Sequence, residues 1–153
     1  MRRLENGGVL DASVGVKLVR LDEPLAMEGL AVITLLKEAP GRWGSPDFFD
    51  LECASAMAKA SRFGGLPADE VLEGLSLLRR LPQRRIVTMA LVPGALSLAL
   101  TASVSVYDAC YVALAGLLGV PLVTADDRLA RALTGSGHDV VHLAALDLEA
   151  AQR

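Results

Sequence analysis

Aromatic residues and cysteines are scarce in this chain of 153 residues. One Trp, two Tyr and three Phe make up 4% of the sequence. So few rings argue against a surface that binds nucleic acid by stacking on successive bases. The two cysteines, Cys53 and Cys110, lie in predicted helices without the spacing of a metal site or a disulfide framework. We therefore expect two buried thiols and a reducing, cytoplasmic environment.

Positive charge is also in short supply. The chain has 15 Lys and Arg against 18 Asp and Glu, which gives a net charge of −3 and an isoelectric point near 5.3. Because no basic field covers the whole chain, contact with a nucleic acid would need a local patch. The opening residues, MRRLENGGVLDAS, lack the apolar core of a secretory signal, and we expect none.

Charge is almost missing from one long segment. Between Ile86 and Ala125 the only charged residue is Asp108, and the chain as a whole has a mean hydropathy of +0.42. A membrane hairpin with spans on either side of Asp108 is consistent with this composition. However, Pro and Gly interrupt the segment, and Lys or Arg do not flank the possible turn. We expect a protein core here and no membrane contact.

The most informative stretch is SVYDACYVALAGLLGVPLVTADDRLARAL, which begins at Ser105. Ser105 is typical of a helix N-cap, and Asp108 then lies in the first turn of a long apolar helix. Gly119 is predicted to end that helix, and Val120–Val123 reads as a short buried strand. Asp126 follows this strand and is predicted to begin the last helix.

Strands and helices alternate along the rest of the chain. Val9-Leu10 is a short strand, and Asp11 opens the helix that follows it. Helices are predicted to begin at Pro24, Asp47, Pro67 and Pro93. Strands are predicted to cover 86–88 and 140–143, with a weaker one at 42–45. The chain is predicted to end in an acidic, apolar tail.

This alternation predicts a single domain covering residues 1–153. Its expected fold is a three-layer α/β/α sandwich around a mostly parallel sheet of four to five strands. In the helix that begins at Pro67, leucines at helical spacing are expected to form the core stripe, namely Leu72, Leu75, Leu78 and Leu81.

Acidic residues are predicted to collect at one edge of this sheet. Asp11 and Asp126 each follow an apolar strand, and Asp108 begins a helix. All three are therefore expected near the carboxyl ends of the strands, where α/β sheets bind ligands. Glu52 needs a separate argument from its helix face.

On a regular helix, Glu52 shares its side with large apolar residues, Phe49 and Phe63 among them. A lone carboxylate on such a face would cost several kcal/mol (about 2–7) unless it is paired or bound to a metal. Asp50 points to the opposite side, and we expect it to be a capping or solvated acid.

Each of the four acids also has an ordinary structural role open to it. Asp11, Asp108 and Asp126 could cap helices, and Glu52 could pair with a basic residue of its own helix. Four acids in one pocket would repel one another and raise pKa values. Mg²⁺ or Mn²⁺ would remove this conflict, because hard cations bind carboxylate oxygens.

Three segments, VLDASVGVK, PDFFDLECASAMAKA and SVYDACYVALAGLLGVPLVTADDRL, resemble the PIN-domain family in the right order, and specifically the VapC-type toxins of toxin–antitoxin pairs. The resemblance places the family's acids at Asp11, Glu52, Asp108 and Asp126, and its accompanying hydroxyls at Ser13, Ser105 and Thr124. Asp127 doubles the last acid and leaves open which of the two faces the metal. Gly15 stands where the family often has Ala.

The resemblance implies a Mg²⁺- or Mn²⁺-dependent endoribonuclease that acts as a toxin and cleaves RNA phosphodiester bonds with a metal-activated water. Its implied partners are RNA, a cognate VapB-type antitoxin and a second copy in a homodimer. A basic rim for RNA is expected at Lys17, Lys59, Arg62 and Arg128. Solvated charges around a turn are expected at Arg79, Arg80, Arg84 and Arg85.

Two other functions fit parts of the sequence. The chain could be an antitoxin-binding PIN module with weak or no catalysis, although such a module would be expected to have lost one of the four acids. Receiver domains and haloacid-dehalogenase-like phosphatases also place an Asp after the first strand. The former need an acidic pair there and a late Lys, and the latter need Asp-x-Asp. Asp11-Ala12-Ser13 supplies neither pattern.

Overall fold

The computed structural model describes residues 4, 6–20 and 22–146, so the predicted tail from residue 147 lies outside the described residues. Within them the strands are β1 (Gly8–Leu10), β2 (Trp43–Pro46), β3 (Arg84–Ile86), β4 (Leu122–Thr124) and β5 (Val140–His142). The α-helices are α1 (Ala12–Val19), α2 (Ala26–Glu38), α3 (Phe49–Gly64), α4 (Ala68–Arg80), α5 (Val92–Ala102), α6 (Val106–Leu118) and α7 (Asp127–Ala132).

The strands form one parallel sheet in the order β3-β2-β1-β4-β5. Helices α1 to α4 pack on one another, and α6 lies across β1, β2 and β4. The predicted α/β sandwich is therefore confirmed, with five strands. The strand order reverses between β1 and β4, and such a switch point leaves a crevice beyond the carboxyl ends of the strands. Asp11 follows β1 at this place, and Thr124 ends β4.

The stretch that begins at Ser105 folds as predicted. The Ser105 side chain accepts a hydrogen bond from the backbone N–H of Asp108 at 3.0 Å and caps α6. At the other end Gly119 has a φ of +65°, the left-handed backbone that favours glycine after a helix. The buried strand covers Leu122–Thr124, so it begins two residues later than the predicted Val120–Val123, and Asp126 caps α7 as predicted.

The weak strand predicted near Trp43 is a full member of the sheet. β2 pairs with β1 on one side and with β3 on the other, and all four of its residues are buried. The Ser45 side chain is satisfied, because its hydroxyl lies 2.6 Å from the Leu10 carbonyl oxygen and accepts from Gln83 Nε2 at 2.6 Å, whereas the buried Trp43 Nε1 has no hydrogen-bond partner among the described residues. Internal partners thus make a Gly-Ser-Pro sequence compatible with a buried strand.

Two predicted helix starts are wrong. α2 begins at Ala26 rather than at Pro24, because Leu25 before it has a left-handed backbone with a φ of +68°. α3 begins at Phe49 and is not capped by Asp47. The Asp47 carboxylate instead accepts a hydrogen bond from the Thr88 hydroxyl at 3.1 Å and so ties the loop after β3 to the start of α3.

Strand β3 and the core stripe of α4 also differ from the predictions. β3 ends at Ile86, and Val87 is exposed, so its β-branched side chain does not signal burial here. Leu72 is 69% exposed, whereas Leu78 is buried and Leu75 and Leu81 pack partly buried against the core, so the predicted stripe is wrong only at Leu72. Gly74 is also buried, and a Cβ there would lie 3.4 Å from Met57 Sδ and from Val19 Cγ2, which is ordinary van der Waals contact.

The described residues include no single helix that is long and apolar enough to cross a membrane. Met89–Ala102 and Val106–Leu118 pass that test only as a pair, which is bent by 115° at the break between them. Both cysteines are free and buried, as predicted.

Gly15 in α1 lies close against side chains of α3, and its replacement tests this packing. A Cβ at Gly15 would lie 2.6 Å from both Cys53 Sγ and Phe49 Cζ. We expect Gly15→Ala to lower the free energy of unfolding by about 1–3 kcal/mol, because these side chains must move apart. Urea denaturation measures this change. In the control, Gly116→Ala on α6 meets no atom within 4 Å and should be stabilising or neutral. Equal effects of the two substitutions would contradict this account of the α1–α3 contact.

Candidate active site

Asp11 links the end of β1 to the start of α1. It is 4% exposed, and its Oδ1 accepts hydrogen bonds from the backbone N–H groups of Ser13 at 2.9 Å and Val14 at 3.2 Å, and from the Ser13 hydroxyl. Burial raises the pKa of Asp11 to about 6, and the nearby Asp108 carboxylate adds to this rise, although the hydrogen bonds oppose it. The carboxyl therefore changes its charge close to neutral pH.

The hydroxyls of Ser13 and Thr124 join the two strand ends of the switch point. They lie 3.4 Å apart, and Ser13 Oγ also accepts from the backbone N–H of Ala125 at 2.9 Å. Thr124 Oγ1 accepts from the backbone N–H of Asp126 at 3.0 Å. These contacts hold the loop after β4 beside Asp11.

Glu52 lies on α3, half-buried, and its Oε1 accepts a hydrogen bond from the Tyr111 hydroxyl at 2.8 Å. Burial raises the pKa of Glu52 and Asp108 raises it further, while the hydrogen bond from Tyr111 lowers it. The predicted face of α3 is wrong in one respect, since Phe63 is 80% exposed. The buried face runs through Phe49, Cys53 and Met57, and Glu52 lies at its edge.

Asp108 connects these two acids. It is half-buried in the first turn of α6, and its charge raises the pKa values of both Asp11 and Glu52. Three acids from β1, α3 and α6 therefore interact electrostatically across the carboxyl edge of the sheet.

The neighbouring acids Asp126 and Asp127 have different surroundings. Asp126 Oδ1 accepts from the backbone N–H groups of Arg128 at 2.7 Å and Leu129 at 3.2 Å, so this carboxylate caps α7. The side chain of Asp127 is 76% exposed and lies 3.3 Å from His142 Nε2 on β5. Asp127 thus faces the edge strand, whereas Asp126 stays with the loop held by Thr124.

The other acid of α3, Asp50, is neither a cap nor solvated. Its carboxylate pairs with Arg85 at 2.7 Å and lies 3.8 Å from Arg79. The guanidinium of Arg85 also lies 4.8 Å from the centre of the Phe49 ring. Arg85 is therefore a structural residue between β3 and α3, and its predicted role as a solvated charge is wrong.

The predicted basic rim is not uniform. Lys17 is engaged in an ion pair with Glu23, and its side chain is only 19% exposed. The guanidinium carbon of Arg62 lies 5.8 Å from the centre of the Phe63 ring, and Phe63 is exposed. Lys59 and Arg128 are exposed. Within the predicted basic rim, Lys17 is thus the residue whose charge is already paired with an acid of the same chain.

The donors at this edge are carboxylate and hydroxyl oxygens, the ligands that Mg²⁺ and Mn²⁺ prefer. The mutual repulsion of the acids is a conflict that a divalent cation would relieve. In chemistry the residues therefore fit such a cation, with Asp11, Glu52 and Asp108 as the groups to hold it. In geometry, no three Asp, Glu, His or Cys side chains of the described residues stand close enough to form a metal site. The predicted cluster of four acids stays a prediction.

Tyr111 is the residue that the sequence interpretation overlooked. The acids and hydroxyls assigned from the sequence do not include it, yet its side chain is 1% exposed and its hydroxyl donates to Glu52 Oε1. The available signal was its burial, because a buried Tyr hydroxyl needs a hydrogen-bond partner. Asp108 lies one turn earlier on the same side of α6, so the partner of the Tyr111 hydroxyl is expected near Asp108.

The fold and these residues define a parallel α/β protein with acidic side chains at the switch point of its sheet. A model of the PIN domain family matches residues 8–133, and the chain belongs to that family. This result confirms the resemblance from which the acidic residues were assigned.

Two further comparisons agree with this family. Ribonuclease VapC3 of Mycobacterium tuberculosis, in strains CDC 1551 / Oshkosh and ATCC 25618 / H37Rv, is 40% identical over 88 residues. That match covers 58% of this chain and 63% of the relative. The crystal structure of PAE2754 from Pyrobaculum aerophilum has the same fold, with a TM-score of 0.68 and 20% identity over 94% of this chain and 95% of that one.

The raised pKa of Asp11 predicts that the free energy of unfolding of the metal-free protein depends on pH. The pKa is about 6 in the folded state against an ordinary value of 3.8, so the unfolded chain loses this proton at lower pH than the folded one. Between about pH 4 and about pH 7 in EDTA, the wild type should therefore lose up to about 3 kcal/mol of stability relative to Asp11→Asn. Chemical denaturation across this range measures the difference. Asp127→Asn is the exposed control, and a difference that does not vary with pH would contradict the prediction.

Proposed function

We propose that this protein is a Mg²⁺- or Mn²⁺-dependent endoribonuclease that acts as the toxin of a toxin–antitoxin pair. The observation that carries the proposal is the electrostatic coupling of Asp11, Glu52 and Asp108 at the switch point of the sheet. Membership of the PIN domain family and the similarity to Ribonuclease VapC3 support the choice of reaction. The exposed Lys59 and Arg128 and the ring-stacked Arg62 support contact with the RNA backbone.

The proposal gives each residue of the site a role. Asp11 and Asp108 would hold the cation directly, and Glu52 and Asp126 would complete the site directly or through water. When bound, the cation lowers the pKa of a water molecule and neutralises charge on the leaving oxygen. The Ser13 and Thr124 hydroxyls orient Asp11. Ser105 fixes the start of α6 beneath Asp108.

A second property, binding of another protein chain, has its own supporting observation. An apolar groove of about 650 Å³ lies between α3, α6 and the segment at Thr88–Met89. Leu51 and Met89 at this groove are both 73% exposed. Exposed apolar patches of this kind mark protein interfaces, which supports a homodimer and an antitoxin as partners. The two buried thiols support the cytoplasm as the location.

Removal of one acid tests the nuclease directly. Asp11→Asn and Asp108→Asn should each lower Mn²⁺-dependent cleavage of a fluorescent RNA by about 100-fold or more, because each removes a charge that the cation needs. Circular dichroism should show a retained fold. Growth arrest on expression should likewise be lost with Asp108→Ala. Full cleavage activity in either Asn variant would refute the proposal.

Paired substitutions distinguish the two candidates for the fourth acid. Asp126→Asn keeps an N-cap side chain and so keeps α7, but it removes the charge beside Thr124. We expect about tenfold or greater loss of cleavage for Asp126→Asn and little change for Asp127→Asn, whose side chain faces His142. Rates measured at saturating Mn²⁺ make the comparison. The opposite order would assign the role to Asp127.

A further inference from the structure

The contact between Tyr111 and Glu52 joins the two helices that carry half-buried acids of the site. Tyr111 lies three residues after Asp108 on α6, and its hydroxyl donates to Glu52 Oε1 across the gap to α3 at 2.8 Å. Spacing of three residues places Asp108 and Tyr111 on one side of α6. One helix therefore supplies one acid and also holds the acid of its neighbour.

The Tyr111 ring is fixed by its surroundings. It is 1% exposed, and the Phe48 ring packs edge-on against it with 5.5 Å between the ring centres and 85° between the planes. Because the ring is held in place, the hydroxyl donates in a fixed direction to Glu52 Oε1.

This donor engages one oxygen of Glu52. In the described part of the chain, Oε1 accepts from Tyr111, while Oε2 has no hydrogen-bond donor and no basic partner. A single directed hydrogen bond to one oxygen restricts rotation of the carboxylate and reduces the entropy lost when the other oxygen binds a ligand.

We propose that Tyr111 is a positioning residue whose hydroxyl fixes the Glu52 carboxylate beside Asp108 and leaves its other oxygen available to the divalent cation. This inference rests on the proposed function, since it concerns the same cation. In a purely structural role, the hydroxyl would affect cation binding whatever residue stands at position 52. In a positioning role, its effect on cation binding depends on the negative charge of Glu52 and disappears when that charge is removed.

The chain offers a matched control for this idea. Tyr107 lies one turn before Tyr111 on α6, and its ring also packs edge-on against Phe48, at 5.3 Å and 86°. Tyr107 is 58% exposed, however, and its hydroxyl has no hydrogen-bond partner among the described residues. Tyr107→Phe and Tyr111→Phe thus remove the same atom from neighbouring rings, and only the second breaks the contact with Glu52.

The experiment measures Mn²⁺ affinity of the full chain by electron paramagnetic resonance of the free ion, together with the thermal midpoint of each variant. We expect Tyr111→Phe to weaken Mn²⁺ binding by about tenfold, within the range for residues that orient metal ligands. Tyr107→Phe should bind Mn²⁺ as the wild type does. In a Glu52→Gln background, which keeps the acceptor oxygen and removes the charge, Tyr111→Phe should cause no further loss.

Three results would overturn the inference. Wild-type affinity in Tyr111→Phe would show that the hydroxyl is not needed. Equal losses with intact Glu52 and with Glu52→Gln would show a general packing effect. If Tyr111→Phe does not fold, the affinity of Glu52→Gln decides, because a charge that does not contribute to Mn²⁺ binding needs no positioning. Absence of Mn²⁺ binding by the wild type would instead refute the proposed function itself.

Discussion

Burial of the Asp11 carboxyl is the constraint on which the rest of the site depends. A charged group in this position loses its water, and the backbone N–H groups of Ser13 and Val14 and the hydroxyls of Ser13 and Thr124 offset only part of the loss. The resulting pKa of about 6 leaves the group poised between its neutral and charged forms. A fold that keeps such a group at a strand end, instead of replacing it with Asn, accepts a local loss of stability at neutral pH.

Structural and functional roles are not alternatives for these residues. Asp11 caps α1, Ser105 caps α6 and Asp126 caps α7, so the ordinary interpretation of each is correct. Yet the same caps begin helices at the carboxyl edge of a parallel sheet, where ligands bind. Capping fixes each side chain by short, local hydrogen bonds. Such rigid placement is what a site for a small, strongly charged ligand requires.

Local signals along the chain predict the fold well and the contacts poorly. The caps and strand ends near Asp11 and Ser105 depend on residues two or three positions away, which a sequence pattern can display. The partners of Asp47, Asp50 and Tyr111 lie 41, 35 and 59 residues away, and no spacing reveals them. The predicted stripe of α4 holds for Leu75, Leu78 and Leu81 and is wrong only at Leu72, because helical spacing shows which residues share a face but not how far the neighbouring helices cover it.

The two acids of α3 show how charge is distributed in this protein. Asp50 receives the guanidinium of Arg85, whereas Glu52, two residues later, receives only a neutral hydroxyl. Among the described residues, Asp11 and Asp108 likewise lack a basic partner, although the chain holds 15 Lys and Arg. Arg85 neutralises Asp50, which links α3 to β3. In the described part of the chain, no arginine forms an ion pair with the three acids at the switch point. Because the Asp50 ion pair shows that this fold can compensate a carboxylate with a basic side chain, the acids left without such a partner at the switch point are the feature on which the proposed cation binding rests.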